Sequence, residues 1–405
     1  MKFPCVRLDE VAEVTAGNPA PQEPFAFSDN GSLFIRMQDV GRAHRTSSLL
    51  DSVDKVSDAT IETHRLRLFP GGSILIPKSG ASVNLNHRAM LGCDAYVVSH
   101  LSVIIPNLQR ILPDYLYYWS LSYDPRSQAQ TTSLPSLPLS LIKAASIPVP
   151  PISEQRRIVD LFSRAEGIVR LRRDAEKTAA ELIPALFIDM FGDPATNPKG
   201  WPIDSLGDVL DSADYGSSSK ASDDADGMPM IRMGNVSYAG NLDLTDLKYI
   251  VLPADQVERY HLKYGDILFN RTNSKDLVGK TGLWKGAFEA IAASYFIRLR
   301  VRAEVVCPDY VWAFMNSGFM KRKIFSTARG AIGQSNINSK ELRAFALPIP
   351  PLPLQRKFAQ RCDDIAALVA QEASASTKAQ ATFDALLAQV FGSNIIPNHG
   401  NEKGA

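Results

Sequence analysis

Two stretches of the chain carry apolar residues at helical spacing on a polar background. In the first, Ile158, Leu161, Ala165, Ile168, Ala175, Ala179, Leu182 and Leu186 fall at intervals of three, four and seven, one stripe of an α-helix. In the second, Phe358, Ile365, Leu368, Val369, Phe383, Leu386 and Val390 supply the stripe. The intervening residues are mostly Ala, Gln, Glu, Lys and Arg, all good helix formers. Both patterns stop alike, at Phe191-Gly192 and Phe391-Gly392, where glycine can adopt the left-handed conformation that ends a helix. Both also start alike: residues 148–158 read PVPPISEQRRI and residues 348–358 read PIPPLPLQRKF, 200 positions later.

Upstream of each helix the likeness is weaker but continues. LFIRMQDV (33–40) recurs as PMIRMGNV (229–236), GGSILIP (71–77) as YGDILFN (264–270), and Pro113-Asp114-Tyr115 as Pro308-Asp309-Tyr310. The chain is therefore a tandem duplication, and a period this long is a repeated domain and not a solenoid. Within each copy, β-rich runs (73–76 and 96–105; 266–269 and 294–301) alternate with glycine- and asparagine-rich turns. A helix is expected over 113–122 and over 308–317, each opened by proline. That predicts an α+β fold with globular units at 1–147 and 193–347, helical spacers at 148–192 and 348–394, and a flexible tail at 395–405. Each apolar stripe needs a partner, so the two long helices are expected to pair as an antiparallel coiled coil. The first, over 155–191, would be about 55 Å long, less if Pro184 breaks it.

Composition narrows the class. The 405 residues are 45% hydrophobic and 21% charged, a globular composition long enough for two or three domains. The N-terminal MKFPCVRLDEVAEV lacks the apolar core of a signal peptide, and no run approaches the roughly 20 apolar residues of a membrane span. A cytoplasmic location without membrane contact is expected. Cys5, Cys93, Cys307 and Cys362 lie far apart, and the six histidines show no metal-ligand spacing, so neither a metal site nor a catalytic triad is expected. A net charge of +1 carries no whole-chain signal for nucleic acid.

IPVPPISEQRRI (147–158) and LPIPPLPLQRKF (347–358), together with GDILFNRTNSKDLVGKTG (265–282) and GAIGQSNINSKEL (330–342), resemble the specificity subunit of type I restriction-modification enzymes. The resemblance extends over almost the whole chain. It implies two target-recognition domains, each reading half of a split site in double-stranded DNA, and helices that dock partner subunits. It further implies a non-catalytic chain without a cofactor of its own. Two modification subunits, binding S-adenosylmethionine, would methylate adenine, and restriction subunits would translocate and cut. The spacer helix would then act as a ruler, setting the half-sites about a dozen base pairs apart at about 3.4 Å per pair. Two departures stand out: Leu354 replaces Glu154, and the first unit reads AQTTSLPSL (129–137) where the second has GxxGQSNI.

DNA contact needs phosphate donors and bidentate side chains on rigid loops. The first-unit candidates are Arg36, Gln38, Lys78, Ser79, Asn84, Asn86, Arg88, Thr131 and Thr132. Those of the second are Arg232, Asn235, Arg271, Thr272, Asn273, Lys275, Lys280, Arg329, Gln334, Ser335 and Asn336. A solvated arginine or a turn-forming asparagine is the plain alternative at each. Pro150, Pro151, Gln155, Arg156, Pro350, Pro351, Gln355 and Arg356 are expected to meet partner subunits. The basic excess of the first helix (Arg156, Arg157, Arg164, Arg170, Arg172, Arg173, Lys177) fits a solvated face or contact with DNA phosphates or an acidic partner.

SKDLVGKT (274–281) lacks the first glycine of a phosphate-binding loop and precedes GLWKG, not a helix, so a β-turn is expected there. The Asn/Asp-Pro-Pro-aromatic motif of amino-methyltransferases and a glycine-rich cofactor turn are absent from the sequence. Asp114 and Asp309 read as helix-start residues. Two other classes stay open: a fragment of a combined restriction-methylation enzyme, and a structural adaptor without sequence readout.

Overall fold

A computed structural model describes residues 3–23, 26–44, 48–126, 135–223, 226–331 and 334–392. The chain divides into two compact units, Met1–Ala175 with Glu372–Ala405, and Glu176–Gln371. Each long helix is thus shared out, one part to each unit.

In the first unit the main sheet is antiparallel, in the order Ala12–Ala16, Leu101–Pro106, Ile74–Pro77, Ala89–Met90. The strand Ile74–Pro77 is buried on both faces, which is why it reads as an unbroken apolar run. Ile74 and Ile76 join Tyr115, Leu116 and Trp119 of the helix Pro113–Ser122, while Leu75 faces Phe34, Ile35 and Val97 of a second sheet, as the two-residue period of a strand requires. That second sheet has the order Phe27–Ser28, Asp54–Val56, Ser32–Ile35, Tyr96–Val97, its last pair parallel. A short antiparallel pair, Cys5–Arg7 with Ser146–Pro148, closes the unit at the root of the first long helix.

The second unit repeats this plan. Its main sheet runs Leu210–Tyr215, Phe296–Val301, Ile267–Asn270, Thr281–Leu283, and Met228–Ile231 pairs in parallel with Ile291–Ala292. Ile267 and Phe269 face Tyr310 and Phe314, and Leu268 faces Ile231 and Trp284. The closing pair is Ile203–Ser205 with Ala346–Pro348.

The expected run 96–105 is two strands in different sheets. Leu101 N–H donates to Val98 O at 3.0 Å, so the chain turns at 98–100 and crosses from one sheet to the other. The helices Pro113–Ser122 and Pro308–Asn316 both begin at their proline. Ser317 instead caps the next helix, Gly318–Thr327, accepting from Met320 N–H.

The first long helix runs Ile152–Ala180, breaks, and resumes as Leu182–Phe191. Pro184 has no N–H for the carbonyl of Ala180 and its ring crowds that carbonyl, so the ladder is interrupted one turn upstream of it. The second is unbroken over Leu352–Phe391, roughly 60 Å at about 1.5 Å per residue. Gly192 and Gly392 take positive φ of 83° and 100°; at Gly192 ψ is 174°, so this stop is extended and not the left-handed helical turn expected.

The buried stripe of the first helix differs from the expected one. Ile158, Phe162 and Val169 are buried, whereas Leu161 and Ile168 are 41% and 55% exposed; Ala175 and Leu182 are exposed too. The seam steps by four and then seven from Ile158, and Leu161 lies about 80° off its centre. Within the first unit, Phe162 stacks on Tyr118 and Phe391 at centroid distances of 4.9 and 5.7 Å and meets Phe383 edge-on. Further along, Arg172 pairs with Glu372 at 2.8 Å and Arg173 donates to Gln380 at 3.0 Å. Within the second unit, Phe187 and Phe191 pack on Phe358 and Tyr310. Among the described residues no helix is long and apolar enough to cross a membrane.

Candidate nucleic-acid interface

The repeated proline-glutamine phrase is an internal lock. Gln155 has no exposed surface. Its Oε1 accepts the Leu112 N–H at 2.9 Å, and its Nε2 donates to Arg110 O and Pro150 O, both at 2.9 Å. Gln355, equally buried, accepts from Cys307 N–H at 2.9 Å and donates to Pro350 O and Val305 O at 2.7 and 3.4 Å. Tyr115 and Tyr310 add a hydroxyl donated to Pro148 O and Pro348 O at 2.8 and 2.7 Å. Burial drives both phenols well above the usual tyrosine range. Each set ties the root of a long helix to the loop that enters the preceding helix. Gln155, Gln355, Pro150 and Pro350 therefore do not meet a partner as expected: they are buried, and the glutamine amides are spent. Pro151, Arg156, Pro351 and Arg356 are exposed.

The two donor-rich loops of the second unit are brought together. Thr272–Asn273 pairs with Gln334–Asn336, which pairs in turn with Arg329–Ala331. Thr272 Oγ1 donates to Asn336 Oδ1 at 3.1 Å, and Ile337 N–H donates to Arg271 O at 2.9 Å. A three-stranded ribbon thus joins segments that lie some 60 residues apart in sequence. Among the described residues the first unit keeps the approach as a bridge between Ser79 and Ser136, with Leu137 N–H donating to Lys78 O at 2.8 Å. Thr131 and Thr132 lie outside the described residues, and Arg329 and Gln334 are placed by backbone pairing alone.

Four candidates are committed to the fold. Arg88 is 1% exposed and donates to Ser120 O, His87 O, Tyr123 O and Asn86 Oδ1, at 2.6 to 3.2 Å. Burial lowers its pKa to about 10. It pins the Asn86 turn to the helix Pro113–Ser122 and has no face left for a phosphate. Lys280 is buried with its Nζ on Met233 O at 2.6 Å, and burial lowers its pKa. Asn235, 3% exposed, accepts from Arg232 N–H and donates to Asp243 O and Asp246 O. Asp39 accepts from Arg36 N–H at the matching place. Asn86, in the left-handed region at φ 52°, spends its carbonyl oxygen on Arg88.

The remaining candidates reach the surface. Arg36 lies over the Phe27 ring and pairs with Asp54, and Arg232 pairs with Asp246 at 3.4 Å. Arg271 sits 4.8 Å over the Tyr215 ring, and Lys275 4.6 Å over Phe325; such stacking holds a cation in place while leaving it charged. Gln38 and Asn84 are exposed, and Lys78, Ser79, Thr272, Asn273 and Asn336 are half-buried, whereas Ser335 is buried. The SKDLVGKT segment turns at Leu277 N–H to Ser274 O and enters a strand, with Lys280 inward; nothing in it cradles phosphate.

Sequence reasoning missed several residues here. Ser82, His87 and His100 line, with Met37 and the expected Arg36 and Gln38, a groove of about 500 Å³ in the first unit. Ser82 and His100 carried no motif to single them out. Of the scattered histidines, His44 and His87 stand with rings 4.8 Å apart, and burial lowers the pKa of His87. In the second unit Tyr215 and Tyr295 are exposed beside Arg271.

The family model described as the type I restriction modification DNA specificity domain matches the chain twice, over residues 2–181 and 198–378. The type I restriction enzyme EcoKI specificity subunit of Escherichia coli strain K12 is 26% identical over 239 residues, 54% of this chain and 50% of that protein. The putative type I restriction enzyme MjaX specificity subunit of Methanocaldococcus jannaschii is 29% identical over 175 residues, 42% and 41% of the two. The chain thus spans half or less of these relatives' lengths. The S subunit of a type I restriction-modification system from M. genitalium matches 96% of both chains with a TM-score of 0.56 at 12% identity. A chain solved in work on assembly and conformational transition of the type I R-M system matches 97% of this chain and 98% of its own, with a TM-score of 0.61 at 18% identity. At these identities the structural likeness is one of fold. Two copies of the domain fill most of the sequence, and the chain belongs to the type I restriction modification DNA specificity domain family.

Proposed function

We propose that this chain is the sequence-recognition subunit of a type I restriction-modification complex, without a catalytic step of its own. Residues 1–147 and 193–347 each read one half of a split site in double-stranded DNA. Residues 148–192 and 348–394 are spacers, and 395–405 a tail. The observation that carries this reading is a duplicated frame with unequal side chains. The same locks and the same approach of two loops recur, yet the loops present Lys78-Ser79 in one unit and Arg271-Thr272 in the other. Two readers of different half-sites need that combination of shared positioning and differing contacts.

The spacers pair as an antiparallel coiled coil in this reading. Support comes from the opposite order of partners within the first unit, Phe162 with Phe391 and then Arg172 with Glu372. The exposed Leu161, Ile168 and Leu171 and the exposed Arg156 and Arg356 offer docking positions for two modification subunits, which bind S-adenosylmethionine; restriction subunits complete the complex.

Exchanging residues 1–147 for the equivalent unit of a relative tests this. One half of the methylated motif should change and the other stay. A change in both halves would overturn the independent readers.

A further inference from the structure

The two units can be matched residue by residue where the donor loops meet the main sheet. Lys78 N–H donates to His100 O at 3.0 Å, and Arg271 N–H donates to Tyr295 O at 2.9 Å. Leu137 N–H donates to Lys78 O, and Ile337 N–H to Arg271 O. The bridges Asn18 to Val98 and Ser217 to Ala293 correspond as well. His100 and Tyr295 therefore occupy one and the same place, the turn where the chain crosses between sheets. Both are exposed, Tyr295 by 45%. The frame is duplicated there and the side chain is not.

The His100 ring is oriented from behind. Its Nδ1 lies 2.7 Å from Ser79 Oγ, and Ser79 is fixed by its bridge to Ser136. When the hydroxyl donates to Nδ1, the ring's own proton sits on Nε2. Nε2 makes no hydrogen bond among the described residues, and His100 lines the groove together with Arg36, Gln38, Ser82 and His87. A fixed N–H donor on such an edge suits a major-groove acceptor: purine N7, guanine O6 or thymine O4. Met37 and the 59%-exposed Leu85 line the same groove and can meet a thymine methyl. In the second unit Tyr295 offers a hydroxyl donor at the matched point; its backbone carbonyl accepts the Arg271 N–H, and the Arg271 guanidinium is stacked on Tyr215.

We propose that His100 and Tyr295 are specificity-determining residues, each hydrogen-bonding a base edge in its own unit's half-site, with Ser79 as the positioning residue of His100. The proposal rests on the functional reading above. Buried arginines and lysines of the frame hold the loops, and these two exposed side chains distinguish one half-site from the other.

The test uses the full chain co-expressed with its modification subunit in a host lacking DNA methylation, read by genome-wide mapping of methylated adenine. His100→Ala should broaden one position of one half-site, raising methylation of disfavoured bases there by about tenfold or more, with the other half-site intact. Tyr295→Phe should broaden one position of the other half-site. Ser79→Ala should broaden the same position as His100→Ala, to a smaller extent. Tyr264→Phe, a 68%-exposed tyrosine of the second unit, should leave the motif unchanged. His100→Gln keeps a donor and a similar polarity, and should retain more discrimination than alanine. A wild-type split motif retained unchanged by His100→Ala and Tyr295→Phe would overturn this inference alone, as would a uniform loss at all sites. No chain-dependent methylation by the wild type would overturn the functional reading and the inference with it.

Discussion

Gln155→Ala removes a side chain that sits wholly inside the first unit and has no solvent contact. Three hydrogen bonds of 2.9 Å go with it, and the buried Pro150 carbonyl is left unpaired. A net hydrogen bond is worth about 0.5 to 1.5 kcal/mol, and a stranded buried group costs about 1 to 3 kcal/mol. Arg110 is exposed and Leu112 half-buried, so water recovers part of the loss there. The expected destabilisation is about 2 to 4 kcal/mol. Urea unfolding reads the total, and hydrogen exchange of the Leu112 amide reads the site, since its acceptor is gone. Gln155→Glu is a sharper probe. A carboxylate can still accept from Leu112 but faces the Arg110 and Pro150 carbonyls, so its folded-state pKa is raised. That variant should regain stability as pH falls through the raised pKa, because the folded state then binds the proton more tightly than the unfolded. Arg156→Ala, one residue on and exposed, should stay within about 0.5 kcal/mol. A Gln155→Ala chain as stable as wild type, with Leu112 still protected, would refute the lock and return the phrase to partner contact.

Arg88→Ala strands the His87 and Tyr123 carbonyls and the Asn86 side chain and takes one of two donors from Ser120 O; it should lower stability by about 3 kcal/mol in urea unfolding, without changing the base preference of the folded protein. Arg271→Ala should cost about 1 to 3 kcal/mol of DNA binding and relax one position of the second half-site; a loss equal across sequences would make it a phosphate contact. Lys321 is buried against Gly279 O and the Tyr238 ring, and burial, aided by Lys280, lowers its pKa to about 8. Its folded-state pKa lies below the unfolded one, so its cost to stability is fully present below pH 8 and is relieved as pH rises towards 10.5. Lys321→Met should therefore stabilise the chain at pH 7, by up to about 3 kcal/mol, and the gain should shrink between pH 8 and 9 in paired thermal melts.

The duplicated architecture was legible because its markers are local. A proline at the first turn opens Pro113–Ser122 and Pro308–Asn316, and a glycine at positive φ closes both long helices. The sheet switch at 98–100 left no such mark, since apolar residues continue through it. The first helix shows a related limit: Leu161 and Ile168 fit a helical stripe by spacing, but the buried seam passes through Ile158, Phe162 and Val169, and only packing against Phe383 and Phe391 decides between them. At the candidate interface, residue type picked out loops that the fold brings together, but not which of their side chains stay exposed. Arg88, Lys280 and Gln155 look like surface residues in sequence, because nothing local reveals that backbone carbonyls surround them. His100 was passed over for the opposite reason: a lone histidine gains meaning only from Ser79 behind it.

The central claim is that two fixed readers recognise one split site. Co-expression of this chain with the methyltransferase subunit proposed as its partner in a modification-free host, followed by genome-wide mapping of methylated adenine, tests it most directly. The account predicts a single bipartite motif with a constant gap, lost when this chain is deleted. Methylation that ignores the chain, or a continuous motif without a gap, would contradict it.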